Sequence, residues 1–193
     1  RTAVAIATSG PGATNLVTAI ANAHMDSVPI VFITGQVARR YLGKQSFQEA
    51  AMVEIVRPIT KYAVQVNDVE DLAYEIRKAF RLASTGRKGP VLIDVPKDVT
   101  VDKAYFDYPN EVSYKKERWG EGEGKYRQVA ELLKEARKPL IFVGGGAKDA
   151  GDEVREVAER LKAPVTYSLM GKGVLGDEHP LNIGMIGITA NLH

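Results

Sequence analysis

The stretch TSGPG (residues 8–12) places two glycines and a proline between an apolar run and a helical pattern. Glycine reaches backbone angles closed to other residues and proline fixes φ, so the turn is tight and stiff. A helix N-terminus behind it would offer free N–H groups and the positive end of a dipole to an anion. The Lys-Ser/Thr pair of a P-loop is missing, because Ala13-Thr14 follows the second glycine. Walker-type nucleotide binding is therefore disfavoured, and a plain tight turn remains the alternative.

A second glycine-rich turn, Gly144 to Gly146, follows the apolar segment PLIFV (139–143). Ligands of open α/β sheets bind beyond the carboxyl ends of the strands, so this turn is predicted to contact a ligand, with a loose loop as the alternative. The histidines His24, His179 and His193 show no ligand spacing, and no metal site is predicted from them.

The composition narrows the class of protein. The 193 residues carry 26 Lys and Arg against 24 Asp and Glu, and this balance provides no field for binding nucleic acid. No apolar run reaches the ~20 residues of a membrane span. The absence of cysteine excludes disulfides and zinc-thiolate sites and is compatible with a reducing compartment. We therefore expect a cytoplasmic protein with neither nucleic-acid nor membrane partners.

Apolar runs that alternate with helical periodicity predict an α/β fold, with parallel sheets flanked by helices. The predicted strands are 3–7, 29–34, 62–66, 90–95, 139–143 and 164–168. The predicted helices are 13–25, 49–56, 69–84, 125–137 and 149–161. The segment PVLIDV (90–95) is almost uninterruptedly apolar, as in a strand buried on both faces.

A change of composition divides the chain. Asp, Tyr, Lys, Glu and Gly dominate after residue 98, around the single Trp119, and a second strand–helix series starts near residue 125. We predict a first domain over 1–98, a linker over 99–124 and a second domain over 125–193, both domains being incomplete. The chain starts with Arg1 and enters a strand almost at once, so we expect it to be part of a longer protein.

A set of motifs occurs in an order that resembles one family. They are TSGPGATN (8–15), DSVPIVFITGQV (26–37), SFQEA (46–50), RPITK (57–61), TGRKGPVLIDVPKDV (85–99), KPLIFVGGG (138–146) and SLMGKG (168–173). Together they resemble the catalytic subunits of acetohydroxyacid synthase, also called acetolactate synthase. These enzymes join two 2-oxoacids, such as pyruvate, with thiamine diphosphate, Mg²⁺ and usually FAD, in branched-chain amino acid biosynthesis.

The resemblance implies which domains the chain represents. Residues 1–98 would be the second half of a thiamine pyrimidine-binding domain, and residues 125–193 the first half of a Rossmann-like, FAD-associated central domain. The TSGPG turn would then be a close-packing surface beside the cofactor, where Pro11 and Asn15 lie, and would not hold phosphate. The catalytic glutamate of the family lies upstream of residue 1 and its metal site lies in a third domain. The chain alone is therefore predicted to be inactive.

The resemblance also implies roles for individual residues. Gln48 would face thiamine and substrate, with an amide able to donate to a developing oxyanion, and Phe47 would wall the same pocket. Their alternatives are a polar residue at a helix start and a core aromatic residue. Arg87, with Ser27, would contact FAD, and without the family Arg87 is a charged residue after a glycine.

Further family positions are predicted in the substrate channel and the central domain. Arg40, Lys61 and Lys97 would lie around the channel, and each lysine could equally be a solvated surface charge. Gly144, Gly145 and Gly146, with Leu169 and Met170, would lie against FAD.

One motif departs from the family. The stretch GMIGIT (184–189) lacks the histidine of the usual GMHGT, so its FAD contact is not carried over. The alternatives left open are a pyruvate oxidase, an FAD-free catabolic acetolactate synthase and a stand-alone nucleotide-binding module. As partners we expect a second copy of the subunit, in a dimer or tetramer, and a regulatory small subunit.

Overall fold

The computed structural model describes residues 1–106 and 123–187. It divides the chain into two compact units, Arg1–Arg118 and Trp119–His193. Most of the predicted linker over 99–124, including Trp119, lies outside the described residues, and its boundaries stay a prediction. The end of the GMIGIT stretch, from residue 188 onward, lies outside them as well.

The first unit is built on one parallel sheet, as the apolar runs predict. Its strands, in chain order β1 to β4, are Ala3–Ala7, Ile30–Gln36, Tyr62–Gln65 and Val91–Pro96. They lie in the order β1-β2-β4-β3, and every pairing is parallel. Strand β4 is buried throughout because helices cover both faces of the sheet. The α/β fold class is thus confirmed for this unit.

The first unit contains four helices, α1 to α4, and the numbering continues into the second unit. Their bounds are Pro11–Thr14, Val17–Met25, Met52–Val56 and Val69–Ser84, with short 3₁₀ turns at Arg39–Tyr41 and Arg57–Ile59. Helix α4 begins where predicted, because the Asp68 carboxylate accepts the Glu70 N–H at 3.0 Å. Its apolar stripe packs on one face of the sheet, and α2 and α3 contribute to the core on the other.

The single helix predicted over 13–25 is wrong. The Leu16 N–H donates to the Ala13 carbonyl at 3.0 Å, a three-residue spacing that closes α1 after four residues. A second helix, α2, then starts at Val17. The helix directly behind the TSGPG turn is therefore hardly more than one turn long, which leaves only a small dipole to favour an anion there.

The second unit carries a smaller parallel sheet. Its strands, in the order β5-β6-β7, are Ile141–Val143, Val165–Tyr167 and Asn182–Met185. Its helices α5 and α6 are Glu123–Glu135 and Gly151–Leu161, with 3₁₀ turns at Gly145–Ala147 and Leu169–Gly171. The sequence did not predict β7, whose alternation is interrupted by Gly184 at φ +85°.

Candidate active site

A cavity of about 530 Å³ opens beyond the carboxyl ends of strands β1, β2 and β4 of the larger sheet. Ser9 follows β1, Gln36 ends β2 and Lys97 follows β4, so parallel strands deliver all three to one edge. Among its further lining residues are Arg40, Tyr41, Phe47, Gln48 and Val101. The structure therefore brings together four predicted residues, because it places the distant Lys97 beside Arg40, Phe47 and Gln48, which all follow β2.

The loop that carries Gln48 is held by its own glutamate. Glu49 accepts the N–H of Ser46 at 2.9 Å through one carboxylate oxygen and the N–H of Gly43 through the other. These backbone donors hold the pKa of Glu49 below its usual range. The predicted helix over 49–56 accordingly begins only at Met52, because Glu49 belongs to the loop.

Gln48 itself has an uncommon backbone, with φ at +63°. It lies against Gly10 of the TSGPG turn, where a Cβ would come within 2.9 Å of the Gln48 Cα, Cβ and O atoms. Gly10 also has a positive φ, of +58°. The glycine is thus required by close packing within the chain, which agrees with the expectation that this turn is a packing surface.

Arg39 stabilises one wall of the cavity through several hydrogen bonds and ion pairs. This residue was not predicted from the sequence. Its guanidinium contacts Asp98 at 2.8 Å, Asp102 at 2.7 Å and the Asn67 carbonyl at 2.8 Å. Asp98 also accepts the Arg39 N–H at 3.0 Å, and the cation keeps the pKa of this carboxylate lowered. The network ties the turn after β2 to the turn after β4, which are the segments that present Arg40 and Lys97.

Arg40 and Lys97 are the cations of the cavity. Both side chains are exposed, and neither forms an ion pair within residues 1–106 and 123–187. The Arg40 guanidinium lies over the Tyr41 ring, 4.6 Å from its centroid. Asp98 also lines the cavity, but Arg39 binds its carboxylate. Two cations with no ion-pair partner among the described residues suit an anionic ligand such as a carboxylate.

Gln36, which lines the cavity, belongs to a buried polar network that was also not predicted from the sequence. Asp94 is 0% exposed, accepts the Thr34 hydroxyl at 2.6 Å and accepts the Gln36 amide at 2.9 Å. Burial raises the pKa of Asp94 to about 6, against the lowering effect of the two hydrogen bonds. The available signal was a lone acid inside the apolar run PVLIDV, since a carboxylate is rarely buried without a structural or functional cause.

Ser27 and Arg87 meet at the C-terminal end of α2. The Arg87 Nε donates to the Ser27 hydroxyl at 2.9 Å, and its Nη2 lies 3.5 Å from the carbonyls of His24 and Met25. Ser27 adopts a left-handed backbone, with φ at +58°. The two residues predicted together for FAD are therefore neighbours, away from the residues that line the cavity.

Three other predicted residues do not line the cavity. The Lys61 ammonium binds the carbonyls of Leu82 and Thr85 at the end of α4, the latter at 2.7 Å, and burial lowers its pKa. This is a favourable position for a cation at a helix C-terminus, and the channel role of Lys61 stays a prediction. Pro11 and Asn15 are exposed on and after α1.

In the second unit the two predicted FAD segments pack on each other. They follow β5 and β6, and a Cβ on Gly145 would lie 3.1 Å from the Met170 Cβ. Gly146 faces open space, whereas a Cβ on Gly171 would lie 2.5 Å from the Val143 carbonyl oxygen. Leu169 is 71% exposed and forms an apolar surface beside the glycine turn.

The cavity and the glycine turn of the second unit suit different chemical groups. The Ser9 hydroxyl and the Gln48 amide make no hydrogen bond to other described residues, and together with the apolar Phe47 and Val101 they suit a heteroaromatic ring and a polar substrate. Asp152 and Glu153 occupy the first turn of α6 and oppose a phosphate there, so the glycine turn suits an uncharged ring better. No cluster of metal-ligating side chains occurs among the residues that the structure describes. None of the helices in that part of the chain is long and apolar enough to cross a membrane.

Comparisons with known proteins give the same assignment to both units. The family described as "Thiamine pyrophosphate enzyme, N-terminal TPP binding domain" matches residues 1–55, and "Thiamine pyrophosphate enzyme, central domain" matches residues 126–193. An acetolactate synthase of Arthrospira platensis is 47% identical over 96% of this chain and 33% of its own length. Acetolactate synthase 1, chloroplastic, of Zea mays is 44% identical over 100% of this chain and 31% of its own length.

A third relative, the acetolactate synthase large subunit of Buchnera aphidicola, is 44% identical over 96% of this chain and 34% of its own length. The chain thus spans about a third of the length of the curated relatives it matches. Each of the two α/β units carries a family match, and the relatives align along nearly the whole chain. Both findings lead to the same assignment. The chain belongs to the thiamine pyrophosphate enzymes, within the acetolactate synthase family, and carries sequence of their N-terminal and central domains.

Proposed function

We propose that this chain forms part of an acetolactate synthase catalytic subunit, which decarboxylates pyruvate and ligates the product to a second 2-oxoacid. The observation that carries the proposal is the cavity at the carboxyl edge of the larger sheet, where the Gln48 amide converges with Arg40 and Lys97. None of these three side chains has a hydrogen-bond or ion-pair partner among the described residues. A 2-oxoacid has a carboxylate beside a ketone, and this pair of groups matches cations next to a hydrogen-bond donor.

Each cavity residue has a role that follows from its chemistry. Arg40 and Lys97 hold and orient the substrate carboxylate, and the Arg40 fork also fits it in two parallel hydrogen bonds. The Gln48 amide donates to the ketone oxygen as it gains charge, an interaction stronger in the transition state than in the ground state. Phe47, which is 89% exposed in this structure, covers the bound substrate and excludes water.

Thiamine diphosphate supplies the carbon nucleophile and the electron sink that decarboxylation requires. Ser9 and Gln48 are the polar residues that would contact it in the cavity. We propose further that Mg²⁺ accompanies it on groups of a third domain, and that FAD binds through Arg87 and Ser27 and through the glycine turn of the second unit with Leu169 and Met170.

The proposal extends to assembly and location. We propose a homo-oligomeric catalytic subunit, a dimer or a tetramer, with a regulatory small subunit as partner, in the cytoplasm. The relative of Buchnera aphidicola is named a large subunit, which supports a catalytic subunit within a complex. The alternatives of a pyruvate oxidase or a stand-alone nucleotide-binding module are not favoured, since the curated relatives compared are acetolactate synthases.

The test replaces Gln48 in the polypeptide that contains this chain, loaded with thiamine diphosphate, Mg²⁺ and FAD. Loss of one oxyanion donor typically costs about 2.7–4 kcal/mol, so Gln48→Ala should lower kcat for acetolactate formation from pyruvate by about a hundredfold or more. Bound FAD, read from its absorbance after gel filtration, should barely change.

Gln45→Ala is the matched control. Gln45 lies in the same loop, is exposed and has a similar backbone, with φ at +54°, but it does not line the cavity. It should lower kcat far less than Gln48→Ala does. Equal effects of the two substitutions would make Gln48 a loop residue only, and a wild-type protein that forms no acetolactate from pyruvate would refute the proposed activity.

A further inference from the structure

The buried carboxylate of Asp94 carries a free-energy cost of desolvation that the fold must offset. Its carboxylate lies in the middle of the sheet with no exposed surface, beside the fully buried Leu92 and Ile93. A carboxylate buried without a cation is tolerated only when hydrogen bonds compensate for its lost hydration. Here the Thr34 hydroxyl and the Gln36 amide provide two, at 2.6 Å and 2.9 Å.

Gln36 links this carboxylate to the cavity. Its Nε2 donates to Asp94 Oδ2 at 2.9 Å and to the Ala50 carbonyl at 2.6 Å, so both amide hydrogens are used. Its Oε1 accepts the Val37 N–H at 2.9 Å. A flipped amide would place its oxygen against two acceptors, and the orientation of the side chain is therefore determined by its partners.

The Gln36 amide hydrogen-bonds two backbone groups beside the cavity, the Ala50 carbonyl and the Val37 N–H. Ala50 lies two residues after Gln48, in the loop that Glu49 closes on Gly43 and Ser46. Val37 lines the cavity itself and precedes the turn that carries Arg40. A displacement of the Gln36 side chain would release the Ala50 carbonyl, because this amide holds the Ala50 segment against the end of β2.

We propose that Asp94 and Gln36 are positioning residues, a buried relay that holds the Gln48 loop in place at the edge of the cavity. Asp94 orients the Gln36 amide, and Gln36 anchors the loop through the Ala50 carbonyl. The effect on the loop is independent of any activity. The effect on turnover rests on the proposed function, through the role of Gln48.

The experiment compares four single variants and one double variant of the polypeptide that contains this chain. Asp94→Ala removes the carboxylate and Gln36→Met removes the amide at similar volume. Asp94→Asn is the conservative variant, because its oxygen can accept from Gln36 while its amide donates to the Thr34 hydroxyl. Ile93→Val is the matched control, a mild core deletion on the same strand that points to the opposite face of the sheet.

Hydrogen exchange, measured by mass spectrometry without any cofactor, follows the peptide over residues 43–51. Its Gly43 and Ser46 amides bind Glu49 and should exchange at least tenfold faster in Asp94→Ala and Gln36→Met. Asp94→Asn and Ile93→Val should resemble wild type. The double variant Asp94→Ala/Gln36→Met should exchange no faster than Gln36→Met alone, because both changes interrupt one chain of contacts.

Kinetics supply the second readout. In the loaded enzyme, Gln36→Met should lower kcat about tenfold with a smaller change in KM for pyruvate, and Asp94→Asn should restore most of the activity lost in Asp94→Ala. Unchanged exchange over 43–51 in Gln36→Met, or equal exchange in Ile93→Val, would overturn the relay. A wild-type protein with normal loop protection and no acetolactate formation would instead overturn the proposed function and leave the relay standing.

Discussion

The pH dependence of stability offers a direct test of the buried carboxylate. Asp94→Asn replaces it with a neutral group of nearly the same shape. Burial raises the pKa of Asp94 from its ordinary value of 3.8 to about 6, and Glu54 on α3 adds a smaller repulsion in the same direction. Between these values the folded protein retains a proton that the unfolded chain has released.

The sign and the magnitude follow from this difference. Because the folded state binds the proton more tightly, the free energy of unfolding falls as the pH rises from about 4 to about 6 and then levels off. A pKa raised from 3.8 to about 6 corresponds to about 3 kcal/mol, which is a large part of the stability of an ordinary domain. Asp94→Asn lacks this loss, so it should become more stable relative to wild type across that range.

The assay is urea unfolding of wild type and Asp94→Asn at several values between about pH 4 and pH 7.5, analysed as the difference between the two proteins. The difference removes groups common to both, including Asp98 and Glu49, whose lowered pKa values act in the opposite direction. Carboxyl ¹³C NMR should locate the titration of Asp94 near pH 6. A difference that stays constant over this range, with a titration near 4, would refute the buried-charge reasoning.

Two further predictions concern single residues. Arg87→Ala should weaken FAD retention about ten- to a hundredfold, as measured by flavin absorbance after gel filtration. Arg87→Lys should recover only part of this retention, because a point charge does not reproduce the guanidinium fork. Equal FAD occupancy in wild type and Arg87→Ala would remove this residue from the flavin site. Gly10→Ala should lower both stability and kcat, because the new Cβ would displace Gln48. Gly173 also has a positive φ, of +84°, but a Cβ there would meet nothing within 4 Å, so Gly173→Ala should lower stability alone, by roughly 1 kcal/mol. Similar kcat values for the two variants would show that Gly10 does not position Gln48.

Much of the fold could be predicted from local sequence. Alternation of apolar runs with helical periodicity located four strands of the larger sheet to within two residues, and Asp68 marked the start of α4. The physical reason is that burial pattern and capping act over a few residues, so the sequence shows them directly. The break between α1 and α2 was missed because one three-residue hydrogen bond decides it.

Only part of the candidate site could be predicted from the sequence. Family motifs pointed to Gln48, Arg40 and Lys97, but only the parallel sheet brings their three turns to one edge. Lys61 was predicted beside them; the fold places its ammonium on carbonyls at the end of α4, and its channel role stays a prediction.

By itself the sequence determined the α/β class, the alternation of elements and the family, because these depend on residue types and their order along the chain. The tertiary structure alone decided which polar groups meet. Asp94 and Gln36 are 58 positions apart and Arg39 and Asp98 are 59 apart, so no local pattern could pair them. The pairing arises because parallel strands β2 and β4 lie side by side, which aligns their carboxyl ends and the turns that follow.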